Sequence, residues 1–322
     1  MSTRRNQDAN GSLITEQSLM QNLRSLGVRE GDHLALGVSF KNIGEVVGGA
    51  EALVRALLKS VGPDGTIMVN TFTEQFGLYR IKARVVDYVF DYRSTPCNTG
   101  LVPETMRCWD SAKRSKHPVT SVAAIGKAAN FLTEFHDHRA TAYSPFSRLA
   151  EIEGKYLSVG IGGQLVGFRH EAQYLAGLLD VVPKKVGVNY LNEQGEVELF
   201  INRQPPGCVK TMGAQNKLLE EAGIVTRGQI GDAKSLLIPA DKSLAIISQA
   251  LKADPTINLC TSISCLWCRE LERRLALYGK LKTPRYYQKN KIVISALALA
   301  NWVRMGDNPL LRYAFRASSA FR

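Results

Sequence analysis

Two groups of side chains in this 322-residue sequence have the types and spacing for chemistry: five histidines and a C-x4-C-x2-C run. The histidines are His33, His117, His136, His138 and His170. Histidine is the usual general base at neutral pH, so each is tested by its surroundings. His33 opens a strand-like segment and reads as structural. His117 precedes Pro118, which holds it in extended backbone. His136 and His138 flank Asp137 at the end of an expected helix and read as a solvated cap. His170 differs: it follows a strand-like segment and the Gly162-Gly163 turn. Open α/β sheets build their sites on loops leaving the C-terminal ends of parallel strands. His170 is therefore the candidate catalytic base.

Cys260, Cys265 and Cys268 allow two readings. One is a zinc or iron–sulfur site, with Cys208 as fourth ligand. The other is a set of buried thiols on a helix that also carries Leu266, Trp267 and Leu271. Structural zinc takes four Cys or His ligands, commonly in paired CxxC knuckles. The spacing here departs from that pattern, and no histidine follows residue 170. The sequence thus favours buried thiols and no metal.

Other signatures are missing. Gly48-Gly49 lacks the full glycine spacing of a dinucleotide site, and no P-loop, HExxH or GxSxG pattern occurs. Hydrophobic residues make up 45% and charged residues 22%, which excludes a disordered or fibrous chain. The formal net charge is +12, which favours anionic partners. From Ala253 onward there are 12 Lys and Arg against 4 Asp and Glu, so +8 of that charge lies in the last 70 residues. There Lys280, Lys282, Arg285, Lys289 and Lys291 surround Tyr286 and Tyr287, ahead of an apolar stretch at 292–303. Attachment to an anionic membrane surface and packing as a core helix are both open for that stretch. It is too short to span a bilayer. No nucleic-acid reading motif is present.

The elements that must position these groups follow from periodicity. A helix is expected from Thr15 to Leu26 and stops at Gly27. A buried strand at 33–38, an amphipathic helix at 46–58 and a strand at 66–70 form a βαβ unit, which implies a parallel sheet. Residues 74–118 carry turn residues and weak periodicity, the mark of a functional segment. Strands at 119–125 and 155–160, a helix starting at Ser144-Pro145 and a helix bearing His170 come next. A hairpin at 185–201 and helices at 211–222 and 241–252 complete the body.

Six segments in order resemble the aminoglycoside 3-N-acetyltransferase family. They are LGVREGDHLALGVSFKNIGEVVGGAEALVRAL (26–57), GTIMVNTFT (65–73), VFDYRSTPCNTGLVPETMR (89–107), AKRSKHPVTSVAAIG (112–126), YSPFSRLAEIEGKYLSVGIG (143–162) and FRHEAQYLAG (168–177). LLEEAGIVTRGQIGDAKSLLI (218–238) is a weaker match. The resemblance spans residues 15–252. It implies one α/β domain with a central mixed or parallel sheet flanked by helices. It also implies acetyl-CoA as cosubstrate and an amino sugar as acceptor.

By the same resemblance, Val38, Ser39 and Phe40 correspond to a CoA-contacting loop, and Arg114, Ser115 and Ser121 to a second CoA-contacting stretch. His170 corresponds to the family's catalytic histidine, and Thr73 and Glu104 fall on motif positions near the cleft. Two departures stand out. Gly37-Val38-Ser39 replaces the usual HSS, and Gln173 stands where the family usually has glutamate, leaving Glu171 as an alternative supporting acid. The expected reaction is acetyl transfer to an aminoglycoside, or to a nucleotide- or lipid-linked amino sugar of surface-polysaccharide synthesis. A degenerate, non-catalytic CoA-binding protein is the alternative.

The expected layout is a flexible start (1–14), the acetyltransferase-like domain (15–252) and a basic, helical, Cys-containing extension (253–322). The start, MSTRRNQDANGSL, has positive charge but no apolar core or cleavage site. A cytoplasmic protein is therefore expected, with its basic end available to the inner face of a membrane.

Overall fold

The structure is a computed structural model that describes residues 13–178, 186–202, 208, 211–262 and 265–281. The apolar stretch at 292–303 and all but Lys280 of the basic cluster around it lie outside the described residues.

The chain enters through α1 (Glu16–Leu26), β1 (His33–Val38), α2 (Gly49–Val61) and β2 (Thr66–Asn70). Thr15 caps α1 reciprocally with Ser18, and Gly27 ends it in the left-handed conformation. The segment read as irregular holds short pieces: β3 (Phe76–Gly77), α3 (Leu78–Lys82), β4 (Val89–Phe90), α4 (Leu101–Arg107) and β5 (Lys113–Arg114). Then come β6 (Val122–Gly126), α5 (Ala129–Thr133), α6 (Ser144–Glu151), β7 (Lys155–Val159) and α7 (Val166–Leu175), which carries His170. The hairpin is β8 (Val186–Leu191) and β9 (Val197–Ile201). The chain continues with α8 (Met212–Glu221), β10 (Thr226–Ile230), β11 (Ala233–Pro239), α9 (Ala240–Ala253) and α10 (Leu266–Leu277).

Seven strands form one mixed sheet in the order β10-β11-β7-β1-β2-β6-β5. Within this sheet the parallel pairs among the described residues are β7–β1 and β1–β2; β11 and β6 flank them antiparallel. The parallel core is thus three strands wide. The β10–β11 hairpin was not anticipated. TRGQI is polar and largely exposed on its strand, so it carries no hydrophobic alternation to read. A smaller sheet pairs β8 with β9 on one edge and with β3 and β4 on the other.

Alternation along the central strands feeds two cores, as the two-residue period of a strand requires. Leu34, Leu36, Ile67 and Val69 face α1, α2 and α4. Ala35, Met68 and Tyr156 face the opposite layer, with Phe146 of α6, Phe168 of α7 and Ile247 of α9. The result is a sheet buried on both faces by helices. Leu271 and Leu275 of α10 belong to this second core. Over the residues described, the extension expected from 253 is therefore packed onto the body rather than set apart from it. No helix among the described residues is long and apolar enough to cross a membrane.

Candidate active site

The C-terminal ends of β7, β1 and β2 share one edge of the sheet, and most of the candidate residues gather there. Val38 ends β1 beside Val159 of β7. The Ser39 N–H donates to the Val159 carbonyl at 2.9 Å and turns the chain into a short 3-10 helix, Phe40–Asn42. Ser39 caps that turn without using its hydroxyl. The Asn42 N–H closes the turn on the Ser39 carbonyl at 3.0 Å, which leaves the N–H groups of Phe40 and Lys41 without a backbone acceptor among the described residues. Val38, Ser39 and Phe40 are half-buried and can meet a ligand.

From β7 the chain crosses Gly160 to Leu165 into α7. Gly160 has φ +68°, and a Cβ there would meet that of Asn42 at 2.8 Å. This close approach lets the Asn42 amide donate to the Gly160 carbonyl at 2.6 Å, joining the β1 and β7 loops.

His170 is buried on α7, with its Nδ1 2.8 Å from Gln173 Oε1. An amide oxygen only accepts, so Nδ1 carries the proton and Nε2 keeps its lone pair. One helical turn separates the two residues, so their side chains share a face. The imidazole stacks on Tyr143, with ring centroids 5.1 Å apart and planes within 20°. Tyr143 in turn meets Phe72 edge-on at 5.8 Å. Phe72 lies just past β2, between Thr71 and Thr73. Burial, and secondarily the neighbouring Arg169 guanidinium, pulls the His170 pKa down to about 4. The imidazole is therefore neutral at pH 7.

Glu171 points elsewhere. Its carboxylate accepts from the Ser147 hydroxyl on α6. Burial raises its pKa to about 7. It makes no bond to His170 among the described residues, so Gln173 is the imidazole's partner.

The second expected CoA-contacting stretch is largely committed to the protein itself. Ser121 donates to the Thr71 carbonyl at 2.7 Å. The Ser115 hydroxyl is shared between His136 Nδ1 and the Val122 N–H, each at 2.9 Å. Both serines are buried. The Arg114 guanidinium bonds Ser121 Oγ (3.2 Å) and the carbonyls of Tyr92 (3.3 Å), Thr71 (3.2 Å) and Thr95. It also lies over the Phe90 ring. Four of its five N–H donors are used, leaving one for a ligand. Arg114 also lines a cavity of about 480 Å³ together with Lys113, Lys116 and Glu134. Its burial pulls its pKa down to about 10, which leaves it charged at pH 7.

Thr73 is buried and donates to the Pro118 carbonyl at 2.8 Å. Glu104 accepts from Arg107 at 2.6 Å and from the Cys97 N–H at 2.9 Å. The arginine is the main reason its pKa falls to about 2. It sits on α4, whose Val102 and Met106 pack into the core on the far side of the sheet from Phe168 and Ala172 of α7. The structure thus groups His170 with Gln173 and Tyr143, and gives Glu104 an ion pair of its own.

Gly37 explains the altered HSS segment. A Cβ at this position would lie 2.2 Å from the Tyr156 hydroxyl and 2.7 Å from Ile161 Cδ1. Tyr156 fills the space, donating to the Gln164 carbonyl at 2.8 Å. No histidine fits at 37 with Tyr156 so placed.

His136 is not the solvated cap its sequence suggested. It is buried and bonded to Ser115, and it stacks on His117 at 4.7 Å. Burial is the main cause that lowers both pKa values, His136 to about 3 and His117 well below the usual range. Sequence reasoning missed this pair, and it missed Tyr143, because ring stacking joins residues with no fixed spacing. Tyr143 lies within the matched segment YSPFSRLAE, which was the available signal.

Residues 36–252 match the family model described as aminoglycoside 3-N-acetyltransferase. Over 199 residues the chain is 35% identical to aminoglycoside N(3)-acetyltransferase III from Salmonella sp, covering 57% of this chain and 68% of the relative. The fold is similar to the aminoglycoside acetyltransferase AAC(3)-IVa apoenzyme, with a TM-score of 0.70 and 23% identity over 83% of this chain and 99% of that one. It is also similar to AAC-IIIb in a binary complex with CoASH, with a TM-score of 0.66 and 24% identity over 75% and 97% of the two chains.

Proposed function

Because this chain belongs to the aminoglycoside 3-N-acetyltransferase family, we propose that it transfers the acetyl group of acetyl-CoA to an amino group of an aminoglycoside, with His170 as general base. The observation that carries the reading is the 2.8 Å contact between His170 Nδ1 and Gln173 Oε1 in a buried site. It leaves Nε2 as a proton acceptor.

Acetyl-CoA, when bound, supplies a thioester carbonyl. An amine at pH 7 is mostly ammonium and cannot attack a carbonyl until it has lost a proton. Once that first proton has gone to solvent, the neutral nitrogen attacks, and as the new C–N bond makes it cationic His170 Nε2 takes a second proton from it. The C–S bond then breaks, and the proton passes from the imidazole to the departing thiolate. The products are the amide and free CoA. Gln173 fixes the tautomer, and Tyr143 holds the ring plane by stacking.

The residues fit CoA unequally. The Ser39 hydroxyl and the N–H groups of Phe40 and Lys41 suit carbonyl or phosphate oxygens. Arg114 offers one N–H and a positive charge. Ser115 and Ser121 are buried and shape the loops rather than meet the ligand. Thr73, bonded to Pro118, positions the chain after β2. Glu104 acts through Arg107 and Cys97 on the loop before α4.

The amide formed carries no charge, whereas the amine did. Acetylation thus weakens the hold of an aminoglycoside on any anionic target, which is how such a reaction confers antibiotic resistance. The chain's +12 charge makes a nucleotide- or lipid-linked amino sugar the second acceptor class to try. The test is thiol release from acetyl-CoA with a panel of aminoglycosides and with nucleotide-linked amino sugars. Turnover with the first group supports the reading, and turnover with the second alone moves the acceptor class. Tight CoA binding with no thiol release from either leaves a non-catalytic binder.

A further inference from the structure

Four cysteines take no part in the acetyl-transfer site, yet they lie together. The Sγ atoms of Cys208, Cys260, Cys265 and Cys268 are all within 4.8 Å of one another. Cys265 Sγ lies 3.8 Å from Cys208 Sγ. The four come from three stretches. Cys208 stands between β9 and α8, and Cys260 follows the short helix Pro255–Asn258. Cys265 is the N-cap of α10, and Cys268 lies in its first turn.

We infer that these four thiolates hold a structural Zn²⁺ ion. A tetrahedral ion with Zn–S bonds of about 2.3 Å sets its sulfurs about 3.8 Å apart. The Cys265–Cys208 separation meets that value, and the remaining pairs need only contract slightly around the ion. No two of the six cysteines form a disulfide. An iron–sulfur cubane, with four irons between its cysteines, needs a wider cage. Tetrahedral all-sulfur coordination is the set that zinc takes in closed, structural sites.

Two further contacts fit thiolate ligands. The Cys260 N–H points at Cys268 Sγ across 3.2 Å, the kind of outer bond that orients and stabilises a metal-bound sulfur. The buried Arg169 guanidinium bonds the Cys208 carbonyl at 3.0 Å and interacts electrostatically with Cys208 and Cys268. Its Nε and Nη2 have no hydrogen-bond partner among the described residues. Four thiols give up four protons on binding Zn²⁺, and the resulting site carries a net charge of −2. Arg169 supplies one opposing charge from within the protein. The irregular C-x4-C-x2-C spacing argued against a metal, and it is the fold that brings Cys208, 52 residues before Cys260, to the other three.

Three of the four ligands lie beyond the family match at 36–252. The ion would fasten the segment bearing Cys260, Cys265 and Cys268 to the loop at Cys208. That loop meets α7 through Arg169, the neighbour of His170. The inference does not depend on the acetyl-transfer reading.

The experiment is elemental analysis of the full-length protein, purified without chelators and dialysed against metal-free buffer. About one zinc per chain is expected. Cys265→Ser and Cys208→Ser should each lower it at least five-fold, while Cys97→Ser and Cys108→Ser should keep it. A mercurial thiol reagent should release the ion into a chromophoric zinc chelator. Stripping the wild-type protein with a strong chelator should lower its melting temperature, and added Zn²⁺ should restore it. Less than a tenth of an equivalent of zinc in wild-type protein whose four thiols react freely with a disulfide reagent overturns the inference. So does iron in place of zinc, with thiolate-to-iron absorption in the visible.

Discussion

His170 Nδ1 and Gln173 Oε1 lie 2.8 Å apart, one helical turn from each other and both buried. A glutamine here holds the imidazole's tautomer but offers no charge to an imidazolium. A carboxylate would do both. This matters because burial already disfavours the charged ring, with a pKa near 4. Gln173→Glu should therefore raise the pKa of the base and move the acidic limb of the kcat/KM profile to higher pH. A profile that does not move, in a variant that folds and binds CoA normally, would show that this contact does not tune the base.

Three buried histidines should make the protein acid-sensitive. His117, His136 and His170 all have depressed pKa values when folded. Unfolding exposes them, and below about pH 6.5 the unfolded chain binds protons that the native one refuses. Their stabilising contribution is thus present above pH 6.5 and falls as the pH drops toward 4. Glu171 acts in the opposite sense. Its raised pKa, about 7, makes the native state hold an extra proton between about pH 4.5 and 7. Three groups against one leave stability rising with pH between pH 5 and 6. Urea midpoints at pH 5, 6 and 7 check this; equal midpoints would contradict it.

Arg114 ties together the chain after β2, the loop at Tyr92 to Thr95, and Ser121. Arg114→Ala takes a donor from three carbonyls, of which that of Thr71 keeps the Ser121 hydroxyl. A loss of about 2–4 kcal/mol in stability is expected, since bonds to charged groups contribute strongly. Chemical denaturation measures it. If Arg114 served the cosubstrate alone, the KM for acetyl-CoA would rise with stability unchanged.

Gly37→Ala sets a methyl group against the Tyr156 hydroxyl and Ile161. Overpacking of this kind costs about 1–3 kcal/mol. Tyr156→Phe removes the nearest atom, so the double variant should lose less stability than the two single losses added together. Strict additivity in a double-mutant cycle would show that the two positions do not meet.

The parts of the fold with a strong period were legible in the sequence. HLALGV and TIMVN are apolar on both faces, as strands between two helical layers must be. The capping residues marked α1, and Ser144-Pro145 marked the start of α6. The β10–β11 hairpin was hidden by its polar outer strand. At the site, the order of segments led to His170, and Gln173 was visible as a departure. What its replacement does required the geometry. The serines at 115 and 121 carry the right chemistry for a ligand, and only burial reveals that they spend it on His136 and Thr71. That the four cysteines converge was not legible, because spacing along the chain does not report distance in space.

The central claim is that His170 removes the acceptor's proton. Steady-state acetyl transfer by His170→Ala, followed as CoA thiol release with an aminoglycoside that the wild type acetylates, tests it most directly. The predicted result is a fall in kcat of about 10²–10⁴-fold, with CoA affinity within a few-fold of wild type and the fold intact by circular dichroism. A folded variant that keeps kcat within a few-fold of wild type would contradict the claim.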